Sequence, residues 1–255
     1  MNVLGIDVGG SGIKGALVDL QTGQLATERH KIFTPEGFKP EDISATIGEI
    51  ARHFEHTGPI GIGWPSAIDG GVVKSPPTAH HFPGWVGKNI GELFSQATNC
   101  PVYMLNDADA AGVAEMSFGA GRDKMGTVIT ITLGTGVGAG MFRDGVLIPN
   151  MEFGKLYLKG QREYCEQYMA GRIKDEKGLS WKKYGKRVNK FLEHIEFLFS
   201  PSLVIIGGGI SRKHESFFSE FTVSTPVVPA ELRNEAGIVG AASFAAQMTE
   251  TAMDS

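Results

Sequence analysis

Two aspartates mark where this chain could do chemistry. Asp7 ends an apolar run immediately before Gly9-Gly10-Ser11, and Asp107 follows Asn106 at the end of another, Val102 to Leu105. A carboxylate at a strand end can accept the proton of a hydroxyl whose oxygen attacks phosphorus, which is the base that phosphoryl transfer needs. A carboxylate beside a phosphate-binding turn can hold Mg2+ or one of its waters. The bland alternatives are that Asp7 caps its turn and that Asp107 or Asp109 caps the helix beginning there.

The turns themselves are the second signal. GIDVGGSGIKGALVD, Gly5 to Asp19, and ITLGTGVGAGMFRDG, Ile131 to Gly145, share an apolar run, a glycine turn and a second apolar run, and they lie half a chain apart. Glycine permits positive φ and close approach of the backbone, so several N–H groups can point at phosphate oxygens. A third turn, LVIIGGGIS from Leu203 to Ser211, could let a flat ring lie against the backbone. None is a dinucleotide fingerprint or a Walker-type loop, because Ile13, Ala16, Leu17 and Val18 read as a strand after the first turn, where those motifs require a helix. Any one hairpin alone could be a mere β-turn; the repetition and Asp7 favour phosphate binding and an ancient duplication.

Two further groups invite a reading. Lys182, Lys186 and Lys190 fall at i, i+4 and i+8 beside Lys183 and Arg187, a basic helical stripe that is either a solvated face or a guide for a long polyanion. His80 and His81 stand with Phe82 and Trp85 in a Pro- and Gly-rich excursion, Ser66 to Gly87. Adjacent histidines on an extended segment point to opposite sides, so a substrate-contacting loop fits better than a metal pair.

Composition bounds the class. With 255 residues, 42% hydrophobic and 20% charged, the chain is an ordinary globular protein with room for two cores. A net charge of −4 argues against general nucleic-acid binding. Cys100 and Cys165 give no disulfide framework, no signal-type segment opens the chain, and the longest uncharged run is dense in Gly and Thr, so the expectation is a cytoplasmic protein without membrane association.

The elements that must position these groups follow from periodicity. Ile43, Ile47, Ile50 and Phe54 predict an amphipathic helix over Pro40 to Phe54, and Pro59 to Pro65 reads as a buried strand ending at a loop. Asn89 to Thr98 and Asp109 to Gly119 predict helices on either side of the Val102 to Leu105 strand. Trp181 to Phe199 predicts a long helix stopped by Ser200-Pro201, followed by the strand Leu203 to Ile206. Ala236 to Gln247 predicts a helix of small residues able to pack closely on a neighbour.

With these residues in place the chain resembles the ROK family of sugar kinases, and within it the polyphosphate glucokinases, nearly end to end. GIDVGGSGIKGALVDLQTGQL resembles the family's first phosphate motif, LNDADAAGVAE the segment bearing its catalytic Asp, and TLGTGVGAG its second phosphate motif; SPSLVIIGGGISRK, TPVVPAEL and NEAGIVGAA resemble polyphosphate glucokinases in particular. The resemblance implies an α/β fold of the actin-like ATPase (ribonuclease H-like) class, two similar lobes around a cleft, with Mg2+, a polyphosphate or ATP donor, a sugar acceptor and a homodimer. It implies Asp107 as base and Asn106 as a sugar ligand. Asp7, Gly9, Gly10, Ser11 and Lys14 would border the phosphates with Thr135, Gly136 and Gly138, and Gly207, Gly208 and Gly209 would lie near a base or further along a polyphosphate. The expected lobes are residues 1–107 joined by the helix 236–255, and residues 108–235.

The departures fall on the sugar side. The family's Glu-x-Gly-His appears as Glu152-Phe153-Gly154-Lys155, which replaces a histidine that can donate and accept with a lysine that only donates. Of the family's structural zinc cluster only Cys165 remains, with Glu166 matching its sugar-binding Glu, so no zinc is expected. Pro65-Ser66 stands for Pro-Gly, and no Asn precedes Trp85. The expectation is a kinase acting on the 6-hydroxyl of glucose or a related hexose. Its alternatives are a kinase for another sugar and a weakly catalytic or inactive sugar- or phosphate-binding protein with a regulatory role.

Overall fold

The repeated hairpin folds twice in the computed structural model, which describes residues 1–77 and 84–253. Contacts divide the chain into two units, Met1–Phe118 with Glu235–Ser255, and Gly119–Asn234. The helix Asp107–Phe118 therefore belongs whole to the first unit, whereas the expected boundary after residue 107 left 108–118 in the second.

In the first unit β1 (Asn2–Val8), β2 (Ile13–Asp19), β3 (Gln24–Leu25) and β4 (His30–Ile32) precede α1 (Pro40–His53). Then come β5 (Ile60–Trp64), β6 (Ile68–Asp69), β7 (Val72–Val73), α2 (Ile90–Thr98), β8 (Val102–Asn106) and α3 (Asp107–Phe118). The main sheet runs β3-β2-β1-β5-β8, with β4 also on β2; β1 is antiparallel to β2 and parallel to β5, which is parallel to β8. The second unit holds β9 (Thr127–Leu133), β10 (Val137–Arg143), β11 (Val146–Ile148), α4 (Cys165–Met169), α5 (Gly171–Glu176), α6 (Trp181–Phe199), β12 (Leu203–Gly207) and β13 (Val227–Pro229). Its sheet runs β11-β10-β9-β12-β13, again an antiparallel hairpin continued by parallel strands on one side. Each hairpin thus opens the sheet of its own unit, as a duplication requires.

Local chemistry explains the element ends. α1 has Pro40 in its first turn beside Glu41 and Asp42, and Arg52 in its last turn, so the charges of Glu41, Asp42 and Arg52 complement the helix dipole. Ser180 caps α6 by accepting from Lys183 N at 3.3 Å, and Ser200 ends it in a left-handed conformation. The Ser66 to Gly87 excursion begins as the small β6–β7 hairpin and turns Trp85 into the core, where its Nε1 donates to Phe38 O at 2.9 Å. Trp64, Trp85, Phe38 and Phe94 form an aromatic centre within that core.

α7 (Ala236–Met253) returns to the first unit, and its small residues let it lie directly on the sheet. A Cβ at Gly5 would fall onto the Ile238 carbonyl, one at Gly61 onto that of Ala241, and one at Gly240 onto Ala110 O of α3. This close approach anchors β1, β5 and α3 together and so fixes the strand ends where Asp7 and Asp107 stand. The second core gathers Ile129, Ile131, Tyr184, Val188, Phe191 and Ile206 between sheet and α6.

Candidate active site

The register aligns the two aspartates at one end of one sheet. Asp7 of β1 pairs with Gly63 of β5, and Gly63 pairs with Leu105 of β8, two residues before Asp107. With strands about 4.8 Å apart, the backbones of β1 and β8 run roughly 10 Å from each other. This is the carboxyl end of the parallel strands, where α/β sheets bind ligands.

The cap of α3 is neither aspartate. Asn106 Oδ1 accepts from Ala108 N at 2.8 Å and from Asp109 N at 3.3 Å, which is N-cap geometry. Asp107 lies one residue further, exposed, with Oδ1 accepting from Ala108 N at 2.8 Å, and α3 begins two residues before the sequence placed it. Asp109 is buried.

Asp7 faces Lys14 across β1 and β2, with Lys14 Nζ 3.8 Å from its Oδ2. Burial raises the Asp7 carboxyl above its ordinary value, and the Lys14 ammonium opposes that shift. Gly237 in the first turn of α7 makes room for it, since a Cβ there would lie 3.1 Å from Asp7 Cγ. The turn between the strands is closed by Gly9 N donating to Gly12 O at 3.2 Å, and Thr34 Oγ1 donates to Gly9 O at 2.6 Å. Gly10 and Ser11 are exposed at its tip.

The second unit braces its turn differently. Gly134 N donates to Gly136 O at 3.1 Å, Arg172 N to Gly134 O at 3.1 Å, and Arg172 Nε to Thr135 O at 2.7 Å, with the guanidinium held by Glu176. Glu166 Oε2 accepts from Val137 N at 3.1 Å, and a Cβ at Gly136 would lie 2.6 Å from that oxygen. Thr135 is exposed, and Gly138 sits half-buried in β10. Glu166 thus holds the second glycine turn. Lys155 Nζ lies 3.2 Å from Glu152 Oε2, so the lysine that replaces histidine is paired with the glutamate of its own motif.

One expectation about the glycines is corrected. Gly9, Gly12, Gly134 and Gly136 do not adopt left-handed backbone; only the third turn does, at Gly208, φ 81°, where a Cβ would fall onto the Leu133 carbonyl. In the first two turns glycine provides room for a neighbouring chain. Gly207 ends β12, and Gly208 and Gly209 are exposed.

Lys182, Lys183 and Lys186 are exposed on α6 and Lys190 half-exposed, while Arg187 turns inward and donates to Tyr168 O at 2.8 Å. Cys165 is fully buried, and burial pushes its thiol up to about 11. Among the described residues no group of three or more His, Cys, Asp or Glu could hold a metal ion, and no helix is long and apolar enough to cross a membrane. His80 and His81 lie outside the described residues. Thr34 braces the first turn, Gly237 makes room for Asp7 beside it, and Arg172 braces the second turn within its own unit, each brought there by the packing of distant segments.

The model of the ROK family matches residues 3–166. The chain is 43% identical over 239 residues to a polyphosphate glucokinase of Mycobacterium tuberculosis (strain H37Rv), covering 93% of this chain and 89% of that protein. It is 26% identical over 313 residues to a glucokinase of Thermotoga maritima, covering 96% and 97%. Among solved structures, an inorganic polyphosphate/ATP-glucomannokinase from Arthrobacter sp. strain KM superposes with a TM-score of 0.88 at 40% identity, covering 97% of this chain and 99% of that one. A ROK family glucokinase from Streptomyces griseus in complex with glucose and AMPPNP gives 0.77 at 25% identity, covering 97% and 100%.

Proposed function

The chain belongs to the ROK family, and from that premise we propose that it is a sugar kinase of actin-like fold that transfers a phosphoryl group from polyphosphate or ATP to the 6-hydroxyl of glucose or a related hexose. The observation that carries the reading is the division of labour at α3: Asn106 caps the helix, and the neighbouring Asp107 presents an exposed carboxylate at the end of the sheet. Asp107 accepts the proton of the sugar hydroxyl as its oxygen bonds to the terminal phosphorus; the bond from that phosphorus to the donor's bridging oxygen breaks, and the leaving phosphate takes the electron pair. Lys14 and the turn Gly9, Gly10 and Ser11 neutralise charge on the transferring group. Thr135, Gly136 and Gly138, and further along Gly207, Gly208 and Gly209, bind the rest of the donor.

The half-buried Asp7 carboxylate, flanked by a phosphate-binding turn, would suit Mg2+ held mainly by donor phosphates and water, the mode expected where, as among the described residues, no cluster of three or more ligating side chains is found. When bound, the ion shields donor charge. Asn106, Glu152, Lys155 and Glu166 are read as the acceptor side, Glu166 through the oxygen not used by Val137 N. Because Lys155 is tied to Glu152, this side differs from the family's Glu-x-Gly-His, which favours a broadened acceptor range; the Arthrobacter relative is named for glucose and mannose together. We read the protein as a cytoplasmic homodimer, supported by its two buried free thiols for the compartment and by the family resemblance for the assembly.

A coupled assay with Mg2+, using ATP and polyphosphate separately against a hexose panel, tests the proposal. Turnover on glucose supports it. Turnover confined to another sugar assigns the acceptor to the Glu152–Lys155 change, and calorimetric sugar binding without turnover on any hexose replaces it with a binding protein.

A further inference from the structure

β4 and the residues just after it clasp the first glycine turn at both ends. Thr34 Oγ1 holds Gly9 O at 2.6 Å, and the Lys31 side chain runs along Gly12 so closely that a Cβ there would fall onto Lys31 Cε. Register places this lysine in a row: Asp7 lies opposite Lys14, and Lys14 opposite Lys31, on successive antiparallel strands. Residues directly opposite one another share a face of the sheet, and like charges so placed repel. Asp7 offsets Lys14 at 3.8 Å, whereas Lys31 is in no ion pair among the described residues. Its ammonium sits 4.8 Å from the centroid of the Phe33 ring, which is 78% exposed. A row of two cations and one carboxylate beside a phosphate turn retains an uncompensated positive charge at Gly12, and no acidic residue on β1, β2 or β4 other than the paired Asp7 faces it.

We propose that Lys31 is a donor-phosphate ligand, its ammonium binding non-bridging oxygens of the phosphoanhydride chain next to those held by Lys14. The inference rests on the reading that this turn binds donor phosphate. Phe33 acts as a positioning residue, keeping the ammonium over the turn by cation–π attraction.

Steady-state kinetics of wild type, Lys31→Gln and Lys31→Arg, with ATP and with polyphosphate, test it. Loss of one charge-assisted contact raises the donor KM about 10- to 100-fold in Lys31→Gln, leaves the glucose KM within about twofold, and flattens the dependence of donor KM on ionic strength. Lys31→Arg, which keeps the charge, recovers most of the loss. An unchanged donor KM, or an equal rise in glucose KM, overturns the proposal while the kinase reading stands. If the wild type transfers no phosphate at all, the kinase reading fails by itself. Calorimetric binding of inorganic tripolyphosphate then decides: weaker binding by Lys31→Gln supports the ligand role, and equal affinity overturns it.

Discussion

Asp107→Asn separates catalysis from folding at a single position. Asp107 is exposed in the first turn of α3, and its Oδ1 accepts from Ala108 N at 2.8 Å; the amide oxygen of asparagine accepts the same bond. The interaction of the lost charge with the helix N-terminus is worth about 0.3–1 kcal/mol, or a fall in Tm of roughly 1–4 °C for a chain of this size. What the reaction loses is its base, worth about 10²- to 10⁴-fold in kcat, or about 2.7–5.5 kcal/mol of transition-state stabilisation. Asn106→Ala reverses the balance for folding, because Asp109 N loses its side-chain acceptor and Ala108 N keeps only Asp107 Oδ1. That costs about 0.5–2 kcal/mol, and the hexose KM rises if Asn106 also binds sugar. Paired thermal melts and kcat measurements on the two variants read both quantities. Retention of more than a tenth of wild-type kcat by Asp107→Asn would falsify its assignment as base, and a melt as depressed as that of Asn106→Ala would show that Asp107 shares the capping.

Asp7 gives a pH signature. Burial raises its carboxyl above the unfolded value, so between those two values the native state binds more protons than the unfolded one, and stability declines as pH rises through that interval. Asp7→Asn should remove this decline from urea midpoints measured between about pH 3 and 7; an unaltered slope refutes the burial argument. Gly61→Ala drives a Cβ onto the Ala241 carbonyl of α7 and should cost at least about 1–3 kcal/mol, read as a lower denaturation midpoint; a wild-type midpoint would mean that α7 is not seated on the sheet. Glu166→Ala removes the acceptor of Val137 N in the second turn and should cost about 1–3 kcal/mol. Its donor KM should rise as the turn loosens, and an effect on sugar KM alone would place Glu166 solely on the acceptor side.

The sequence alone determined what local rules govern. Apolar spacing marked helices over Pro40 to Phe54 and Trp181 to Phe199, formed over Pro40–His53 and Trp181–Phe199, and apolar runs marked strands over Pro59 to Pro65 and Leu203 to Ile206, formed over Ile60–Trp64 and Leu203–Gly207. The repeated glycine hairpin reported the duplicated order of the two sheets, because a turn and its flanking strands are contiguous in the chain. Asp7 and Asp107 were legible for the same reason, each being written beside the strand that ends at it. Short pieces such as His30–Ile32 and Cys165–Met169 were not, since two to five residues carry no periodicity. Only the tertiary structure decided that Asn106 and not an aspartate caps α3, that Glu166 reaches back to Val137, and that the turn glycines make room for Lys31 and Glu166 without going left-handed. It also moved residues 108–118 to the first unit, through Gly240 of α7 lying against Ala110. Each of these depends on register or on the packing of distant segments, and a residue's type does not reveal which backbone will be folded against it.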